Sequence, residues 1–246
     1  MEHLDALLRG AVRTAPARAA AVMVFDLNSR AEASVNPDRT FLAASLIKLP
    51  VMGASYEVWQ RKPRLKTAVT RDWLERMITV SDNPATNALI RMVGGVGVVD
   101  RFCDQRGLGR FQVAHAIVAQ RGARASNTCT AREVVRFLVA LDRRHLVNAS
   151  ADEEMWQVLL RQKKRARIPG GLPKVPWLRV GNKTGTLRNV LHDAGIVHTP
   201  RVRYAMCVLL SGHRSEAAGN RFCRLVSRLV FDTLHGAAAP QTAALP

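Results

Sequence analysis

Segments with the composition of β-strands occur only towards the two ends of this chain, at residues 21–27 and 31–35 and again at 178–184, 190–198 and 203–210. The separators Asn28-Ser29, Arg188-Asn189 and Thr199-Pro200 are short and turn-like, so neighbouring strands run antiparallel. The long stretch between the two groups has helical periodicity. A sheet built from both ends of a chain leaves its middle as an insertion. The expectation is an α/β (α+β) fold: one antiparallel sheet flanked by terminal helices, plus an inserted all-helical subdomain. A single domain covers 1–235, with its α/β part at 1–40 and 177–235 and its helical part at 41–176. The Ala/Pro-rich tail 236–246 is expected to be disordered.

Helix signals refine this outline. Leu4, Leu7, Leu8, Ala11 and Val12 share one helical face, and that helix ends near Pro16. Residues 37–43 read as a loop, and a helix runs from Ser45 to about Trp59 before Pro63 breaks it. Thr70 can cap a helix that ends before Ser81. Asn83 before Pro84 reads as the cap of the next helix, which stops at Gly94-Gly95 and is followed by a short helix over 96–106. Thr130 with Glu133 and Ser150 with Glu153 fit capping boxes. A final helix over 215–235 carries the apolar stripe Phe222, Leu225, Val226, Leu229, Val230 and Leu234.

With 246 residues, 48% of them hydrophobic, the chain can bury a large core. No run of 18 apolar residues is present, so no membrane span is expected. The first twenty residues intersperse Glu2, Asp5, Arg9, Arg13 and Arg18 among apolar ones, which is an amphipathic helix rather than a signal peptide; the compartment stays open. A net charge of +18 raises binding to nucleic acid or anionic surfaces, but aromatic residues are 5% and no nucleic-acid motif adjoins the densest run, Arg161 to Arg167. That run reads as a solvated helix end, and no specific nucleic-acid partner is expected. Cys103, Cys129, Cys207 and Cys223 lack metal-ligand spacing and read as buried thiols, with a Cys207–Cys223 pair left open. No metal or cofactor motif is found, and a monomer is expected.

Three short strings carry chemistry. Ser45-Leu46-Ile47-Lys48 puts a hydroxyl and an amine about one turn apart on one helix face. A serine at a helix N-terminus can use its own N–H to hold an oxyanion, and a buried lysine near other cations can lose its proton and act as a base. Ser81-Asp82-Asn83 lies between two helices. There Ser81 can relay a proton, Asn83 can hold Lys48 and a substrate amide, and Asp82 can fix the loop. Lys183-Thr184-Gly185 lies in a strand whose edge can take a peptide-like substrate, with the Thr186 N–H completing an oxyanion hole. Each string alone is also ordinary cap and turn chemistry. Their order together makes coincidence a poor explanation.

These strings and their flanks resemble the serine β-lactamase and penicillin-binding protein superfamily, in particular its class A branch. Residues 41–50 are similar to the family's nucleophile helix, 77–87 to its second motif, and 182–186 with 192–197 to its third motif strand and the next. The resemblance covers nearly the whole chain. It implies acyl transfer through an ester on Ser45, protons shuttled by Lys48 and Ser81, and a substrate carboxylate bound by Lys183 and Thr184. It also implies a binding role for His192, at a place where an arginine often serves. Members of the family are usually extracytoplasmic.

Two departures shape the expectation. Class A enzymes carry a glutamate that activates the deacylating water, on a loop before a Thr-rich helix start, here Thr128-Cys129-Thr130-Ala131. Between Asp104 and Glu133 this chain has no acidic residue; the loop offers His115, which could substitute or could simply pack. The interval from Ser45 to Ser81 is also shorter than the family's, which implies a more open cleft. The resulting reading is a serine acyl-transfer hydrolase acylated by β-lactams or D-Ala-D-Ala-like amides, with slow, D,D-peptidase-like deacylation. The alternatives are a true β-lactamase using another base, an esterase or amidase of small acyl substrates, and a non-catalytic binding protein.

Overall fold

The computed structural model describes residues 1–117 and 126–237. Five antiparallel strands form one sheet in the order β2-β1-β7-β6-β5, from β1 (Ala19–Asp26), β2 (Glu32–Val35), β5 (Arg179–Leu187), β6 (Val190–His198) and β7 (Arg203–Ser211). Both ends of the chain contribute, as the strand distribution predicts, and β5 is an edge. β7 shows how alternation fixes the layers. Ala205, Cys207 and Leu209 face the helical block, while Tyr204, Met206, Val208 and Leu210 face α1 (Glu2–Arg13) and α8 (Glu216–Ala237). Burial on both faces suits the continuous apolar run Tyr204 to Leu210. At roughly 1.5–3 kcal/mol for each large apolar side chain taken from water, β7 is a principal stabilising element.

The inserted block contains α2 (Lys48–Arg61), α3 (Ala68–Thr79), α4 (Asn83–Val93), α5 (Val96–Asp104), α6 (Ala131–Asp142) and α7 (Ala149–Leu160). Gly94 ends α4 in the left-handed conformation at φ +104°, which explains the glycine pair there. Among the described residues no helix is long and apolar enough to cross a membrane. All four cysteines are buried free thiols, so Cys207 and Cys223 do not pair. The tail beyond residue 237 lies outside the described residues, and α8 continues past 235.

Several helix starts differ from expectation by one to three residues. Thr67, not Thr70, caps α3; Thr70 sits three positions on, and the two threonines satisfy each other's backbone N–H groups. Asp82, not Asn83, caps α4, because its Oδ1 is the acceptor that reaches the Ala85 N–H at 2.8 Å. Asn148, not Ser150, caps α7. Thr130 does cap α6, but the Glu133 carboxylate accepts from Arg110 N instead of turning back to the cap. Residues 37–43 are not wholly loop: β3 (Phe41–Leu42) pairs with β4 (Thr128–Cys129).

Candidate active site

Ser45 lies in a 3₁₀ turn, Ala44–Ile47, that leads into α2, rather than on the α-helix itself. The turn is fixed from both sides. Ala43 N donates to Asn127 O at 2.9 Å, and Leu46 and Ile47 are buried. Ala44 has φ +48°, a left-handed conformation that costs an L-residue about 1–3 kcal/mol and is held by this surrounding structure. Gly185 of β5 packs against it. A Cβ there would come within 3.2 Å of Ala44 Cβ and 3.3 Å of Ala43 O, so any larger residue would push the turn and the edge strand apart by a few tenths of an ångström.

Two lysines converge on one hydroxyl, that of Ser81. Lys48 Nζ is 3.0 Å from Ser81 Oγ, 2.5 Å from Ser81 O and 2.8 Å from Asn83 Oδ1. Lys183 Nζ is 3.0 Å from the same Oγ and 2.8 Å from Thr184 O. Both lysines are fully buried. Burial foremost, then the Lys164 charge, lowers the Lys48 pKa to about 7, against the opposing pull of Asp82. Burial, Lys48 and Lys164 hold Lys183 well below the ordinary lysine range. The Lys48 surroundings satisfy either protonation state. As an ammonium it has three donors for three acceptors. As an amine it keeps two donors for the carbonyl oxygens, and its lone pair can receive the Ser81 O–H.

Ser81 itself has φ +65°, and its neighbours hold it there. Asp82 N donates to Arg76 O, and the Asp82 carboxylate takes bonds from Ala85 N and, at 2.5 Å, Arg76 Nη2. The Ala85 N–H and then Arg76 hold that carboxyl below the usual carboxylate range. A second clamp comes from Gln162, which is 2% exposed. Its Nε2 donates to Ile78 O at 2.8 Å and Asn182 O at 3.2 Å, and its Oε1 accepts from Lys164 N at 3.0 Å. One carboxamide thus ties the end of α3, just before Ser81, to the strand that carries Lys183. Lys163 N adds a bond to Thr79 O.

Two further polar side chains, His192 and Arg167, are buried beside the other end of β5. The His192 ring is fully buried and has both nitrogens engaged. Its Nδ1 accepts from Leu210 N at 3.2 Å, so Nε2 bears the proton and donates to Leu42 O at 2.8 Å. Burial lowers its pKa to about 4, and in this position it supports β3. The run Arg161 to Arg167 is not wholly solvated either. Arg167 is 5% exposed and donates to Thr186 Oγ1 at 2.7 Å, His192 O at 2.7 Å, Gly185 O at 3.1 Å and Asn220 Oδ1 at 2.9 Å. Its only signal in the sequence is the apolar Ile168-Pro169 that follows. Thr184 is 4% exposed, and Thr186 lines the cleft.

That cleft, about 280 Å³, is lined by Ser45, Asn83, His115, Ile117, Asn127 and Thr186 among others. A family model described as the beta-lactamase enzyme family matches residues 2–70 and 57–234. The chain belongs to the beta-lactamase enzyme family. It is 24% identical over 185 residues to a beta-lactamase of Bacteroides uniformis, a match covering 68% of this chain and 61% of that relative's length. The structure of PBP-A is similar at TM-score 0.85 and 23% identity, covering 96% of this chain and 97% of the other. A beta-lactamase from Sphaerobacter thermophilus is similar at TM-score 0.86 and 22% identity, over 95% and 97% of the two chains. A PBP-A variant described as an acyl-enzyme complex with penicillin G matches at TM-score 0.85, 23% identity, and 96% and 97% coverage.

No carboxylate is among the described residues that line this cleft. His115 occupies part of the wall instead, half-buried, with Nδ1 2.9 Å from Ala116 O. Residues 118–120 of the same sequence loop lie outside the described residues.

Proposed function

We propose that this protein is a serine acyl-transfer hydrolase in which Ser45 attacks the amide carbonyl of a β-lactam or D-Ala-D-Ala-like donor. The observation that carries the reading is the convergence of Lys48 and Lys183 on Ser81 Oγ, at 3.0 Å each, beside the cleft that Ser45 lines. Neutral Lys48 serves as the base for Ser45. The proton then passes through Ser81 to the leaving nitrogen, with Lys183 Nζ holding the Ser81 hydroxyl at 3.0 Å. The N–H groups of Ser45 and Thr186 form the oxyanion hole. Asn83 binds the substrate amide. Lys183, Thr184 and Thr186 bind the substrate carboxylate, with Arg167 supplying charge behind Thr186, a role the resemblance implies for His192.

Acylation outpaces deacylation in this reading, because residues 105–132 contain no carboxylate to activate water. The acyl-enzyme complex described for the PBP-A variant and the beta-lactamase names of the other relatives support β-lactams as acyl donors. Incubation with a fluorescent penicillin, followed by intact-mass measurement, tests it: one covalent adduct on Ser45 that outlasts its formation is the expected result. Rapid turnover with no accumulating adduct would favour a true β-lactamase instead.

A further inference from the structure

Hydrolysis of the Ser45 ester needs a base within reach of a water in the cleft. Of the described residues that line the cleft, His115 is the one with a titratable side chain. Its ring is oriented by simple chemistry. The Ala116 carbonyl oxygen 2.9 Å from Nδ1 can only accept, so in the neutral ring Nδ1 carries the proton and Nε2 the lone pair. His192 is arranged the opposite way, with both nitrogens consumed in the interior. His192 is thus sealed in the interior, whereas among the described residues Nε2 of His115 has no hydrogen-bond partner.

His115 is also anchored to the nucleophile turn. The Asn127 side chain grips its backbone at both ends, with His115 N donating to Oδ1 at 3.1 Å and Nδ2 donating to His115 O at 3.0 Å. The Asn127 carbonyl oxygen in turn accepts from Ala43 N, two residues before Ser45. Ile117 N donates to Asn87 Oδ1 at 3.0 Å, docking the segment on α4 one turn beyond Asn83. One asparagine thus couples the placement of the imidazole to that of the serine.

We propose that His115 is the catalytic base for deacylation, a step that rests on the acyl-transfer reading above. Nε2 takes a proton from water as the water oxygen attacks the ester carbonyl. The tetrahedral intermediate then collapses with cleavage of the bond to Ser45 Oγ. The imidazolium returns its proton to that oxygen, and the acyl group leaves as a carboxylic acid. Positioned general bases contribute about 10²–10⁴-fold to such steps.

The test follows the penicillin G adduct by intact mass in the unaltered protein, His115→Ala and His115→Gln. Both variants should acylate within about twofold of the unaltered rate while adduct lifetime lengthens about a hundredfold. Added imidazole should shorten the lifetime in His115→Ala but not in the unaltered protein, a rescue that a merely structural histidine would not give. Unchanged lifetimes in both variants, acylation lost in parallel, or unfolding of both would overturn the proposal. A protein that forms no adduct at all would instead overturn the acyl-transfer reading.

Discussion

Lys183 Nζ stands 3.0 Å from the hydroxyl oxygen of Ser81, across 102 residues of sequence. The contact joins the edge strand of the sheet to the start of α4, and it exists only because both ends of the chain build one sheet around the helical block. Lys48 reaches the same oxygen from α2. Two cations on one hydroxyl cannot both be comfortable in a buried site, so one must yield a proton.

The pH profile of acylation should follow Lys48. Its pKa is lowered to about 7, so the amine form is scarce below that value and dominant above it. The second-order acylation rate should rise about tenfold per pH unit below 7 and level off above 8, as single-site titration requires. Labelling rates with a fluorescent penicillin from pH 5.5 to 9 measure this; a rate that falls as pH rises through 7 contradicts the assignment of Lys48 as the base.

Replacing Arg167 should separate substrates by charge. Arg167→Ala removes the donor to Thr186 Oγ1 and the positive charge behind it. Acylation by a carboxylate-bearing penicillin should slow about tenfold or more, in line with about 1.5–3 kcal/mol for hydrogen bonds to charged groups. A neutral p-nitrophenyl ester should lose far less. Equal losses for both would mean that Arg167 serves only the fold.

Gln162→Met keeps side-chain volume but deletes bonds to Ile78 O, Asn182 O and Lys164 N. Leaving those groups unsatisfied should cost about 1–3 kcal/mol of stability, read from denaturant melts. Acylation should also slow, because the clamp sets the distance between Ser81 and Lys183. An unchanged rate in a folded variant would dismiss the clamp.

Two glycines on β5 should fail differently. A Cβ on Gly181 would lie 2.4 Å from the Trp156 ring, so Gly181→Ala should destabilise by about 1–3 kcal/mol through overpacking. A Cβ on Gly185 meets Ala44 at 3.2 Å, so Gly185→Ala should slow acylation several-fold with a smaller stability loss. Thermal melts and labelling rates on both variants check the contrast.

Much of the architecture was legible in the sequence because strand alternation and turn chemistry are local. β6 matches its expected bounds, and α4 stops at the expected Gly94-Gly95 pair. Caps were displaced where two polar residues competed, as at Asp82 and Asn83, because only geometry decides which oxygen meets the third N–H of the helix. Of the residues in the three strings, Lys48, Ser81, Asn83 and Lys183 are joined by hydrogen bonds, and Ser45 lines the cleft that Asn83 also lines. Arg167 and His192 are both buried, for one shared reason that short sequence windows do not carry. Whether a side chain in a charged run or on a strand faces water depends on what the sheet packs against, and β5 and β6 bury both. His115 sits between apolar residues in sequence, yet the Asn127 clamp keeps it at the cleft.

The most direct test is the mass of the protein after exposure to penicillin G. The unaltered protein should gain one penicillin, mapped to Ser45 by peptide analysis and persisting longer than it takes to form, and Ser45→Ala should gain none. Neither adduct nor turnover in the unaltered protein, or equal labelling of Ser45→Ala, would contradict the assignment of Ser45 as the acylated nucleophile.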